Sequence, residues 1–267
     1  MASPYIYQSS GGSGVGLVGK TFAASGQVWY VNYTSGVDAA SPQGLNRNYP
    51  LKTLAQAHTN AAAGDVIWLL ENHAETLTGA QTFNKAGVKV ISEGTAATRA
   101  RFTCNGAIAM FDVTAAGVWF VNLTFPQSSA APTARIRVAS TAGRIENCSF
   151  DCGANDTNPA VKYITGAGQC RIVDCSFTST ATAAASRPNI AVEVANAMSD
   201  LEVENTTFSG GTYGWSDYAF KGTAAITRVY GLNLSFLLDA DWFFATSTIG
   251  QWNVANSSGS SRGFWTA

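Results

Sequence analysis

The chain is short of charge. Only 12% of its 267 residues are Asp, Glu, Lys or Arg, about half the usual share in a globular protein, and 16 basic against 17 acidic side chains leave a formal net charge of −1. No basic stripe stands out along the chain, so nucleic acid is not an expected partner. No apolar run approaches the ~18 residues of a membrane-spanning helix, which removes membrane insertion by a helix from the expectations. The start, Met1-Ala-Ser-Pro-Tyr-Ile-Tyr-Gln8, has neither the basic opening nor the apolar core of an export signal. The five cysteines are an odd number without zinc spacing, and Gly11 to Gly19 lacks the flanking strand and the Lys-Ser/Thr of a phosphate loop. No metal and no cofactor are expected.

What the chain has is repetition. Val118-Trp-Phe-Val-Asn122-Leu-Thr-Phe125 returns as Arg144-Ile-Glu-Asn147-Cys-Ser-Phe150, Arg171-Ile-Val-Asp174-Cys-Ser-Phe177, Leu201-Glu-Val-Glu-Asn205-Thr-Thr-Phe208 and Val229-Tyr-Gly-Leu-Asn233-Leu-Ser-Phe236. The steps from Phe to Phe are 25, 27, 31 and 28 residues, the range in which a period means stacked or radially repeated units. Two residues before the Asn or Asp stand Phe120, Ile145, Ile172, Val203 and Gly231; three before it stand Trp119, Arg144, Arg171, Glu202 and Tyr230. That alternation is the period of two of a strand, and the polar residue that follows marks a bend. In-register stacking at about 4.8 Å would let each bend amide bond its neighbour.

These columns predict a parallel β-helix, all-β, in which every strand pairs with the coil above and below and no coil is stable alone. Propeller blades need about 40 residues each, more than these steps allow. Cys148 and Cys175 share one column and are expected to stack as buried thiols. The motif resembles the coil of pectate-lyase-like right-handed β-helices, whose Asn ladder sits at the same bend. The stretch from Val28-Trp-Tyr-Val-Asn32 through Tyr49-Pro-Leu-Lys-Thr53, Ala63-Gly-Asp65-Val-Ile-Trp-Leu69 and Gly87-Val-Lys-Val-Ile-Ser-Glu-Gly94 is similar to the amino-terminal coil and cap of that superfamily. Many phage tailspike-like virion proteins belong to it. The resemblance implies a virion structural protein, a capsid decoration or cement subunit or a spike, made in a host cytoplasm, with capsid or other virion proteins as partners; the alternatives are a tailspike that binds or depolymerises a host surface polysaccharide and a secreted pectate-lyase-like enzyme. It also implies a homotrimer, and a host surface glycan as a possible ligand.

The domain reading is an N-terminal flexible arm over residues 1–26, a β-helix with its cap over 27–250, and a tail over 251–267. Thr53 to Ala63 is the expected capping helix, with Thr53 as N-cap. Trp242, Phe243, Phe244, Trp252, Phe264 and Trp265 gather aromatics near the carboxyl end, as a subunit interface or a cap would. The expected structural ladder is Asn122, Asn147, Asp174, Asn205 and Asn233. No catalytic group is favoured. The residue before the bend gives one weak acid pair, Glu146 and Glu204, two coils or about 9.6 Å apart, a spacing that suits an inverting glycosidase. The same acids, with Arg144 and Arg171, also read as a surface ladder of ion pairs. His58 and His73 sit beside no nucleophile, and Tyr213, Trp215 and Tyr218 suit either sugar stacking or a trimer contact.

Overall fold

A computed structural model describes residues 8–10, 14–17, 20–23, 26–39, 42–128, 130–153, 158–180, 188, 190–210, 218–237, 243–245, 249–255, 258–259 and 265–266, with side chains placed between 26 and 235 except at 218. Three parallel sheets run its length. The first has nine strands, from Val28–Val31 and Val66–Leu69 up through Trp119–Val121, Arg144–Glu146 and Cys170–Val173 to Ile249–Ala255. The second has eight, from Ala74–Leu77 to Ser258–Gly259, and the third eight, from Gln81–Phe83 to Trp265–Thr266. Each coil visits the first, second and third sheet in turn, so the chain is a parallel β-helix.

Register follows the sequence columns. Phe120 pairs with Ile145, Ile145 with Ile172, and Ile172 with Val203. Phe125, Phe150, Phe177 and Phe208 form a stack with ring centroids 4.9, 4.6 and 5.2 Å apart and planes within 7°. All four are at most 1% exposed, so removing one ring would cost about 3–5 kcal/mol. The five cysteines are buried free thiols, and burial pushes the Cys175 thiol well up.

The bend column owes its residue type to backbone geometry. Asn122, Asn147, Asp174, Asn205 and Asn233 all have positive φ, between 46° and 61°, a conformation that Asn and Asp tolerate far better than other side-chain-bearing residues. Asn147 Nδ2 donates to Asn122 Oδ1 (2.9 Å), Asn205 Nδ2 to Asp174 Oδ1 (3.0 Å) and Asn233 Nδ2 to Asn205 Oδ1 (2.9 Å). Asn122 closes the lower end on the carbonyls of Ser92 and Gly94. Only Asn122 is fully buried; Asp174, Asn205 and Asn233 are exposed. Asn72, φ 60°, takes the same left-handed bend.

The lower end is closed by the helix Leu54–Asn60, shorter than the expected 53–63. Gln56 N donates to Thr53 Oγ1 (3.2 Å), and Lys85 Nζ donates to the carbonyls of His58, Thr59 and Ala61, occupying the orphan acceptors at the helix end. Asp65, buried, accepts from Gln27 N, Trp29 Nε1 and Ala62 N, which ties the chain entry to the first coil.

The segment read as an arm contains backbone strands Gln8–Ser10, Gly14–Leu17 and Lys20–Ala23, joined as an antiparallel sheet. At the other end the coils continue past residue 250. Ile249–Ala255 keeps parallel register with Ile226–Leu232, pairing Val229 with Trp252, and Trp265–Thr266 pairs with Phe243–Ala245. The repeat motif fades there because Gly259 stands in register with Phe236.

Two outcomes follow. Asp174 cannot donate to Asn147 Oδ1, so Asp174→Asn supplies the missing rung and should raise stability by about 1 kcal/mol in urea titration, whereas Asn122→Ala should lower it by about 2–4 kcal/mol through two lost buried bonds and left-handed strain. A lower midpoint for Asp174→Asn would contradict the ladder. Burial, with Lys85 nearby, lowers the His58 imidazole from 6.5 to about 4. Between those values the unfolded chain binds a proton that the folded chain refuses, so stability declines as pH falls through this window, by on the order of 2–3 kcal/mol at full effect. Thermal melts from pH 7 to 4.5 should show a steeper fall in the parent than in His58→Leu.

Candidate functional site

A groove of about 510 Å³ lies at the corner where the third sheet turns into the first. Its floor is a second left-handed column: Gly64, Gly87 and Gly117, then Ala142 and Gln169, with φ from 53° to 82°. Their amides bind the next coil in series, Gly64 N to Ala86 O, Gly87 N to Ala116 O, Gly117 N to Thr141 O and Ala142 N to Gly168 O, each at 2.9–3.0 Å. With no side chain on its lower three members, the floor is low and runs along the rod.

The wall is the outward column of the first sheet. Lys89, Trp119, Arg144 and Arg171 are in register on four successive coils. The Lys89 ammonium lies over the Trp119 ring at 5.4 Å and the Arg144 guanidinium over it at 5.3 Å, so the indole holds both cations extended by cation–π attraction. Partial burial lowers the Lys89 pKa. Arg144 engages Glu146 through Nε at 2.9 Å. Arg171 is more occupied, with Nε on Glu202 and Nη2 on Glu202 and Glu204. Among the described residues, three cations and no carboxylate line the groove.

The carboxylates stand one column farther toward the bend. Glu146, read as outward and solvated, is 1% exposed; Glu204, two rungs above, remains partly exposed. Alternation places Glu146 outward correctly, but the flank around it is covered. The weak acid pair is therefore divided: Glu146 is buried on Arg144, and Glu204 accepts from Arg171. The closer acids are Glu202 and Glu204 on one strand, where burial and the neighbouring Glu204 raise Glu202 above the usual carboxylate range against the pull of Arg171. Elsewhere too, charges pair from coil to coil: Arg137 with Asp112 at 2.6 Å, Lys162 with Glu193 at 3.0 Å and Arg228 with Asp200 at 2.6 Å.

Both histidines are internal. His58 packs edge-on against Phe83 at 5.2 Å, and His73 accepts from Tyr33 N at Nδ1 while Nε2 meets Glu75 Oε2 at 3.1 Å. Their work is to hold the cap. Of the carboxyl-terminal aromatics, Phe243, Phe244, Trp252 and Trp265 have backbone in paired strands, while Trp242 and Phe264, like Tyr213 and Trp215, lie outside the described residues. Tyr218 begins a strand of the third sheet, paired with Ile190. The groove floor is what the sequence columns overlooked. Its signal was the recurring Ala-Gly of Ala63-Gly64, Ala86-Gly87 and Ala116-Gly117, a dipeptide too common to stand out beside the Asn-x-Ser/Thr-Phe motif.

No family model matches the chain, and no curated protein matches it. Among solved structures it is similar to pectate lyase Pel9A, at 12% sequence identity and a TM-score of 0.43, the alignment covering 88% of this chain and 80% of that one. The β-helix assignment rests on the strand pairing of the chain itself.

Removing Arg144 would take the ion-pair partner at Oε2 from a buried carboxylate. Arg144→Ala should lose about 3–5 kcal/mol, whereas the double change Arg144→Met with Glu146→Leu should cost far less, as replacement of a buried pair by apolar groups does. Equal losses in the two proteins, measured by chemical denaturation, would show that the pair is not what stabilises this flank.

Proposed function

We propose that this chain is a structural β-helix of a virion surface, a homotrimeric spike or capsid decoration protein that holds a host polysaccharide along its flank without cleaving it. The observation that carries the binding part is the groove, floored at its lower end by Gly64, Gly87 and Gly117 and walled by Lys89, Trp119, Arg144 and Arg171. A rod with one such rung every ~4.8 Å suits a linear polymer, which can lie along the axis and meet equivalent positions on successive coils. A parallel β-helix of this kind fits a protein that binds or depolymerises polysaccharide. Binding is the part the described side chains favour, since Glu146 is buried on Arg144, and Glu202 and Glu204 share Arg171.

The virion placement is supported by the scarcity of charge, which lowers the cost of lateral contact, and by the aromatic residues in the last coils. Attachment to a capsid or another virion protein belongs to the same proposal.

Affinity electrophoresis of the purified chain through gels containing polyuronate, sulfated polysaccharide or neutral dextran tests the binding part. Retardation in at least one charged gel, weakened ten-fold or more by Lys89→Glu, is the expected result, with no new reducing ends after prolonged incubation. Reducing ends that increase with time and vanish with Glu202→Gln would replace the binding role with an enzymatic one. Sedimentation equilibrium should give three times the 28.0 kDa chain mass, and antibody labelling should decorate intact particles. A monomer absent from particles would end the virion assignment.

A further inference from the structure

The first sheet is buried on both faces at its lower end, which a free-standing β-helix does not require. Ile67, Leu69, Val90 and Phe120 face the solenoid core. On the opposite face Val66, Trp68, Ile91 and Val121 form a separate apolar cluster, each 0% exposed, with Leu70 beside them and Val28, Tyr30 and Trp119 partly buried at its margin. Outward side chains in a sheet cover each other's sides but leave their tips in water. Four with no exposure at all need a layer above, at the ~10 Å spacing of stacked sheets.

The chain contains a layer with the complementary need. Gln8–Ser10, Gly14–Leu17 and Lys20–Ala23 make a three-stranded antiparallel sheet of very short strands, too small to be stable without an apolar face to pack on. Its register pairs Val15 with Phe22 and Leu17 with Lys20, so positions 15, 17, 20 and 22, three of them apolar in type and one a lysine, share one face of the sheet, opposite positions 14, 16, 21 and 23. The segment leaves its sheet at the right place. Gln27 N is held by Asp65 Oδ1 at 2.8 Å and Val66 N by Gln27 O at 2.9 Å, which sets residue 26 at the foot of the cluster, one step from Val28 and Val66.

We infer that the outer apolar cluster of the first sheet is the docking surface for the amino-terminal sheet of the same chain, strands Gln8–Ser10, Gly14–Leu17 and Lys20–Ala23, which lies on it as a second β-layer. The flank is thus a two-layer sandwich below and a single wall above. Because Trp119 belongs both to the cluster margin and to the groove, the docked segment would also form the groove's second wall.

Thiol labelling in the full-length protein tests this, since all five native cysteines are buried. A thiol introduced by Ile91→Cys should react with a maleimide at least ten-fold more slowly than one introduced by Tyr49→Cys, a position 65% exposed. Adding Phe22→Asp should bring the two rates within about three-fold, while circular dichroism keeps the β-helix signal. Equal rates in the parent background, or protection that persists with Phe22→Asp, would overturn the assignment. Protection that disappears on dilution to monomer would give the surface to a second copy and equally overturn it. If Ile91→Cys does not fold, Val121→Cys serves as the reporter with the same outcomes.

Discussion

Everything in this molecule depends on one constraint: equivalent residues of successive coils must lie directly above one another at the strand spacing of about 4.8 Å. Given that, a side chain chosen once is chosen for a whole column. Phe on Phe becomes a continuous aromatic stack with near-parallel rings. An amide on an amide becomes a donor–acceptor series, and a cation above an indole becomes an anchored charge. The scarcity of charge also follows. Like charges in one column repel at close range, and the flank ions described are matched by an opposite charge on the next coil or within a strand; where Arg144 and Arg171 stand in register, each holds a carboxylate of its own.

The core columns were legible in the sequence because they are periodic and chemically extreme. Phe150 over Phe177 and Ile145 over Ile172 fall where the repeat puts them, and the bend residues take the left-handed conformation for which Asn is well suited. The helix after Thr53 was legible from its cap. Less visible was anything that breaks period. The coil from Lys89 to Cys104 replaces the Asn with a longer excursion through Gly94, and Asn72 takes the same left-handed bend although Ala74 and Glu75 stand where Thr or Ser and Phe would be expected.

The flank was less legible for a different reason. A period of two tells which side chains leave the core but not what meets them outside. Glu146 looked like a solvated acid by alternation and is among the most buried carboxylates described, because its strand shares a covered flank with Val121. The groove was hidden for the opposite reason: the lower four members of its floor have little or no side chain, and a pattern sought in side-chain chemistry passes over them.

The Asp at position 174 has a mechanical meaning. Amide hydrogen bonds in the bend column all point down the rod, and the series is interrupted between Asn147 and Asp174, leaving a lower segment anchored on Ser92 and Gly94 and an upper one formed by Asp174, Asn205 and Asn233. Across that seam the two coils hold together through strand pairing and the Phe150–Phe177 contact, so the wall there is carried by backbone and core with no help from the bend.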